Sequence, residues 1–201
     1  MTKGNSQLNL LAALSGLLIA MQARANGELS HRMGNSIEAA LVSFGSGLIL
    51  ISIISIFTPS IRKGMKNLKS AVNRREIPVW TLFAGMLGGG FVAVQTQIVP
   101  IIGVAIYSVA SIAGQTATSL IVDRIGLTGG GQKRITFRRV AAALVTVLAV
   151  LVSVFDRIDA QNLSLFAVLF GCFAGCIVGV QRALNGQINE STNQSFATSW
   201  L

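Results

Sequence analysis

The sequence predicts an all-α integral membrane protein, a polytopic helical bundle with one five-span unit and the start of an inverted second unit. Three observations carry this. Apolar residues are 52% of the 201-residue chain and charged residues 11%, with a mean hydropathy of +0.66, whereas a soluble domain averages about 25% charged residues. Six apolar runs follow one another along the chain, most of them near the ~20 residues that carry a helix across a bilayer. The stretch QARANGELS at 22–30 also returns as QRALNGQIN at 181–189.

The runs cover 8–25, 37–57, 79–98, 102–122, 140–155 and 163–180. An open sheet would leave edge N–H and C=O groups unpaired in hydrocarbon, and no run alternates in polarity as a barrel strand does. Helices remain. The fifth run is short for a crossing, but Arg138, Arg139, Asp156 and Arg157 stand at its ends, and long charged side chains reach toward the interface.

The connections set the orientation. Segment 58–78 holds Arg62, Lys63, Lys66, Lys69, Arg74 and Arg75 against Glu76. Segment 123–139 holds Arg124, Lys133, Arg134, Arg138 and Arg139 against Asp123. The connection at Pro100 carries no charge, and 156–162 carries one Arg and two Asp. Short basic loops stay cytoplasmic, which places the N-terminus, 58–78 and 123–139 inside; Arg24 and Arg32 then fall outside, against the trend. The net charge of +9 is explained by topology, and no basic face studded with aromatics offers a nucleic-acid surface. A cleaved signal peptide is the rival reading of the first run, with Lys3, an apolar core and an A-x-A triplet at 23–25. Recurrence of the motif inside the chain favours a retained helix.

At an offset of 159 positions Gly16 meets Gly175, Gln22 meets Gln181, Asn26 meets Asn185, Gly27 meets Gly186 and Ser36 meets Ser195. Ala12, Gly16 and Ala20 form a small-residue stripe, and Gly171, Gly175 and Gly179 repeat it at the same offset. Such spacing lets helix backbones approach closely in lipid, so both stripes are candidate helix-packing faces. The bland alternative is a chance match between ordinary membrane helices. One repeat holds five crossings, an odd number, so the second copy enters from the opposite side. Residues 1–157 are the first unit, and 158–201 begin the second. Many secondary transporters share this inverted arrangement and hold their sites near the midplane between the copies. The second copy breaks off at Leu201, the counterpart of Val42; either the reading frame is expected to run on, or the chain is a shortened relative.

At this point the residues resemble a known family. GLLIAMQARANGELSHRMGNSIEAALVSFGSG at 16–47 is similar to the opening of the bacterial YdcZ-like branch of the drug/metabolite transporter (DMT) superfamily. There a Gln and an Asn-Gly end the first helix, and AALVSFGSG opens the second. FAGMLGGGFVAVQTQIVPIIGVAIYSVASIAGQTATSLIVDRIGL at 83–127 resembles the third and fourth helices, with the Gly-rich entry, the VP..G break, the AGQ and the SLIVDRIGL exit. The resemblance covers nearly all of 8–155 and resumes at 163. It implies an inner-membrane protein of five-span units, single in some members and two fused in others, exporting small molecules. Glu38 departs from a stretch the family keeps apolar or neutral, and the second unit here is partial.

Polar residues within the runs are the substrate-path candidates. Gln22 and Asn26 share one face of the first helix, and Gln181 and Asn185 mirror them. They either line a path or tie helices together. Gln95 and Gln97 precede Pro100, where the apolar run is interrupted. Unwound backbone at depth is tolerated only beside protein or a water-filled cavity; the competing reading is a tight turn between spans three and four. Tyr107 and Gln115 lie on a similar face about two turns apart, as cavity lining or as interhelical glue. Glu38 is an acid near the outer end of the second span. An ionisable group within a span is a functional hypothesis by default, here ion coupling, against an interfacial carboxylate. Asp123 lies at the cytoplasmic edge beside Arg124, where a structural pairing is expected.

Cys172 and Cys176, four apart in an apolar run, are neither a C-x-x-C motif nor a metal set and read as small buried hydrophobes. No Ser-His-Asp set, partnered acid pair or metal-spaced cluster stands in the sequence. GLTGGGQKR at 126–134 lacks the preceding strand and G-K-[ST] ending of a phosphate loop. An enzyme, a cofactor and a metal are therefore not expected. The expected partners are the lipid bilayer, a small-molecule solute with a proton or another ion, and a second copy or partner half-transporter, with no nucleic acid. Export of a small organic solute by alternating access is the leading function. The alternative is a non-transporting module that assembles with or regulates a partner membrane protein.

Overall fold

The computed structural model describes residues 3–127, 131–132, 134–158, 165–193 and 198–199. Its main helices are α1 (Lys3–Met33), α2 (Ser36–Phe57), α3 (Pro59–Asn73), α4 (Ala84–Ile125), α5 (Phe137–Ile158) and α6 (Leu165–Thr192), with a 3₁₀ turn at Val79–Phe83 leading into α4. Among the described residues, four segments are long and apolar enough to cross a membrane: Ser6–Met33, Ser36–Phe57, Val79–Ile125 and Leu165–Thr192.

The longest of these doubles back. Straight, the 42 residues of α4 would reach ~63 Å, about twice the ~30 Å of a hydrocarbon core. Gly103 sits at φ 79°, ψ 158°, a region that essentially only glycine occupies. Pro100 removes a backbone donor just before it. The rings of Phe91 and Tyr107 lie 6.0 Å apart between centroids, whereas sixteen helical residues in line would separate them by ~24 Å. The chain therefore reverses at Gly103, and its two arms, 84–102 and 104–125, carry the third and fourth apolar runs.

α1 outruns its apolar stretch. The resemblance ends the first helix at Asn26-Gly27, but the helix continues to Met33. The added turns are polar and carry an exposed Glu28–Arg32 ion pair at 2.6 Å, an i,i+4 contact that supports helix outside hydrocarbon. α6 likewise continues past Asn185-Gly186 to Thr192. Asn35 caps α2: its Oδ1 accepts from the Ile37 and Glu38 N–H groups at 3.0 and 3.3 Å. Its Nδ2 donates to Glu38 Oε1 at 2.9 Å, so cap and carboxylate satisfy each other.

Segment 58–78 reads as a loop from its charges, yet most of it is the amphipathic helix α3. Pro59 opens it, at a position where its missing N–H costs nothing. Ile61, Gly64, Leu68 and Ala71 form the buried stripe, while Arg62, Lys63, Lys66 and Lys69 are exposed. The apolar residues recur at helical spacing, a signal that the run of cations obscures. Leu68, Ala71 and Ile77 pack with Ile188 of α6, and Asn67 Nδ2 donates to the Thr192 carbonyl at 3.2 Å.

The core lies where α6 meets the second arm of α4. Added Cβ atoms at Gly175 and Gly114 would overlap the carbonyl oxygens of Ser111 and Cys172 respectively. Gly171 lies against Tyr107, Gly175 against Ser111 and Gly179 against Thr118. The pairs ascend together, so the two helices run in parallel. Cys172 and Cys176 are half-buried free thiols, and Cys176 Sγ donates to the Gly114 carbonyl at 3.6 Å. Asp123, expected beside Arg124, is buried and paired with Arg139 of α5, because successive residues on a helix do not face one another. The outer faces of α1 and α2 are the opposite of this core: Leu10, Leu17, Ile49 and Ile53 are exposed. The fifth and sixth runs lie on α5 and α6; Leu163 and 159–162 are outside the described residues.

Candidate functional site

α1, α2, both arms of α4 and α6 border a cavity of about 450 Å³, within the ~300–1,000 Å³ usual for small-molecule sites. α1 contributes Gln22, the first arm Gln95, the second arm Tyr107, Ser111 and Gln115, and α6 Gln181 and Arg182. Ile19, Phe44, Phe91 and Ile112 supply apolar wall. Gln22 and Gln181, 159 positions apart, thus border the same space. Gln181 reaches it across the Gly-rich entry of the first arm, where a Cβ at Gly88 would overlap its Nε2.

One turn beyond Gln22, Asn26 is buried and donates from Nδ2 to Gln95 Oε1 at 2.8 Å. Such interhelical bonds contribute ~0.6–2 kcal/mol in membranes, and this one holds α1 on the first arm. Thr96 Oγ1 donates to the Ser36 carbonyl at 2.8 Å, which fixes the start of α2 at the same level. Asn185, the counterpart of Asn26, keeps an Oδ1 with no hydrogen-bond partner among the described residues. The Tyr107 hydroxyl is in the same position, on a side chain only 1% exposed. Buried polar atoms are normally hydrogen-bonded, so an unpartnered hydroxyl on a cavity-lining residue is a group that a solute can satisfy.

The two motif copies point in opposite directions. Gly27 lies against Val99, where an added Cβ would come within 2.6 Å of Cγ1, near the Gly103 end of the first arm. Ile188 lies with Ile77 and Leu82, at the other end of that arm. α1 and α6 are therefore antiparallel along it.

The remaining candidates fall elsewhere. Gln97 is exposed and is not among the residues lining the cavity. Glu38 is exposed in the first turn of α2, bonded to Asn35, where the helix dipole favours a carboxylate. Gly171, Gly175 and Gly179 face the second arm. Ala12 and Gly16 are exposed, with no atom within 4 Å of a Cβ built at Gly16, while Gly16 and Ala20 border the cavity. Ser195 lies outside the described residues. Sequence reasoning missed Arg182 and Ser111. Arg182 follows Gln181 directly, but a cation at the edge of an apolar run reads as a flanking charge. Ser111 gives no signal of its own in a run of small residues.

A family model described as "putative inner membrane exporter, YdcZ" matches residues 7–152. The chain belongs to this YdcZ family. No curated protein and no solved structure matches the chain. The YdcZ match takes in Gln22, Asn26, Gln95, Tyr107 and Gln115, whereas Gln181, Arg182 and Asn185 lie beyond it. Membership in the YdcZ family, with four segments among the described residues long and apolar enough to cross a membrane, supports a transporter of the inner membrane.

Proposed function

We propose that the chain is a secondary transporter that exports a small organic solute by alternating access, with the cavity between α1, α4 and α6 as the solute path. In this reading residues 1–157 are a five-span unit and 158–201 begin an inverted second unit. The N-terminus, 58–78 and 123–139 face the cytoplasm. The observation that carries the proposal is that Gln22 and Gln181 border one cavity while projecting from antiparallel helices. An inverted-repeat transporter places its site between two like segments of opposite direction. The two seams differ. α6 is seated backbone-close on the second arm, while α1 is held by the Asn26–Gln95 bond and the Gly27 contact. Motion of α6 and the second arm against α1 would open the path alternately to either side.

Gln22, Tyr107, Gln115 and Gln181 are the proposed solute contacts. Asn26 and Gln95 hold the wall, Asn185 and Gln97 are secondary candidates, and Glu38 is the candidate for proton or other ion coupling. Proteoliposomes holding the purified chain should show saturable flux for a member of a labelled small-solute panel. Gln22→Leu and Gln115→Leu should each lower that flux about tenfold, the effect of losing one hydrogen bond of ~1–1.5 kcal/mol. Glu38→Gln should flatten its pH dependence if that carboxylate couples an ion. The exposed Ala12–Gly16 face of α1 favours one second reading, a module that docks on a second copy or a partner half-transporter. Normal assembly with a partner, and no flux for any solute in any context, would carry that reading instead.

A further inference from the structure

We propose that the solute is an organic anion, a carboxylate on an apolar body, with its charge received by Arg182; this rests on the cavity being the transport site. Among the described residues lining the cavity, Arg182 is the one that carries a charge. Among the described residues no carboxylate lines it. The polar lining otherwise consists of the neutral Gln22, Gln95, Gln115 and Gln181 amides and the hydroxyls of Tyr107, Ser108 and Ser111. Arg182 makes no ion pair among the described residues. A smaller neighbouring cavity of about 220 Å³ brings Arg182 and Asp123 to one lining, but Asp123 is already paired with Arg139.

An arginine cannot relieve an unmatched charge by losing its proton. Its planar fork binds carboxylate in a bidentate manner, and an unpaired guanidinium at a cavity edge otherwise lined by neutral groups attracts an anion. An anion supplies that partner, whereas a cationic solute would meet an uncompensated guanidinium. Arg182 is accessible at the cavity edge, as a receiving group must be.

The far end of the cavity is apolar. Tyr107 packs level with Gly171, and Arg182 lies three turns further along α6, ~16 Å. Phe91 meets Tyr107 at 6.0 Å between ring centroids, and Phe44 and Ile112 extend that wall. A carboxylate at Arg182, Gln181 and Gln115 leaves its apolar body pointing toward these rings.

The test uses the full chain in lipid nanodiscs and three probes of nearly equal size: phenylacetate, phenylacetamide and phenethylamine. Phenylacetate should bind about tenfold more tightly than the amide and more tightly still than the amine. Arg182→Gln should abolish the preference for acid over amide, and Arg182→Lys, which keeps the charge without the fork, should retain part of it. Tyr107→Phe, at the other end, should leave the acid-to-amide ratio unchanged. Equal affinity for acid and amide, preference for the amine, an unaltered ratio in Arg182→Gln, or no binding of any probe would each overturn the proposal. Should Arg182→Gln fail to fold, the wild-type ratio and Arg182→Lys decide. Flux of the same probes in proteoliposomes separates the two claims. Binding that prefers the acid without flux of any probe removes the transporter reading and leaves the anion site standing. Flux that prefers the amine keeps transport and removes the anion site.

Discussion

α1 and α6 carry the same stripe of small residues and the same Gln…Asn-Gly turn, and the molecule treats them differently. The α6 stripe, Gly171, Gly175 and Gly179, is seated on the second arm of α4, with no room for a side chain at Gly175. On α1, Ala12 and Gly16 are exposed, and a side chain at Gly16 would meet nothing within 4 Å. α1 is instead held further along, by Gly27 against Val99 and by the Asn26–Gln95 bond. Small residues at every fourth position permit close approach but do not produce it. The partner must offer a matching gap, as Gly114 does, and backbone must lie opposite backbone, as Ser111 and Cys172 do.

The largest expected effect tests this contrast directly. Gly175→Ala and Gly114→Ala each push a methyl into a main-chain carbonyl that cannot turn aside, at a cost on the order of 2–3 kcal/mol. Gly16→Ala should be neutral or stabilising by up to ~1 kcal/mol, since alanine is the better helix former. Unfolding midpoints in detergent read all three. A loss at Gly16 as large as at Gly175 would mean that the α1 face is packed in the membrane.

Next is the hairpin that brings both arms to the cavity. Gly103→Ala puts a Cβ in a backbone region closed to it and should cost about 1–3 kcal/mol; a stability equal to wild type would show that the turn is not at that residue. Asn26→Leu should follow at about 1 kcal/mol, because it leaves the Gln95 carbonyl buried and unpaired. Its coupling to Gln95→Leu in a double-mutant cycle should be ~0.6–1.7 kcal/mol. Asn185→Leu, at the equivalent place on α6, should cost nothing or stabilise, since its Oδ1 has no partner among the described residues. Equal losses at 26 and 185 would erase the distinction between the two turns. The smallest effect belongs to Glu28→Gln: its pair with Arg32 is exposed to solvent and screened by salt, so the unfolding midpoint should stay at the wild-type value.

Several features were legible from residues alone. The second apolar run, 37–57, is α2 to within a residue, and Pro100 with Gly103 announces the break between the arms. Tyr107 and Gln115 share a cavity, as their spacing suggests. The amphipathic α3 was hidden because its charges identify a flank before its period can identify a helix. The true end of α1 was hidden because an apolar boundary marks the edge of hydrocarbon, while helical hydrogen bonding continues past it through Glu28 and Arg32. Arg182 was hidden because its significance depends on what it borders.

Composition and run length alone determined that the chain is helical and apolar, since a segment in hydrocarbon must satisfy its own backbone groups. Helical spacing alone determined which residues share a face: Gln22 with Asn26, and Gly171 with Gly175 and Gly179. Only the tertiary structure decided what each face meets. That choice depends on complementary surfaces far away in the chain: the Gly114 gap for α6, Gln95 for Asn26, and Gln22 beside Gln181 across one cavity. Periodicity is a property of a single helix, but packing and polar pairing are properties of two.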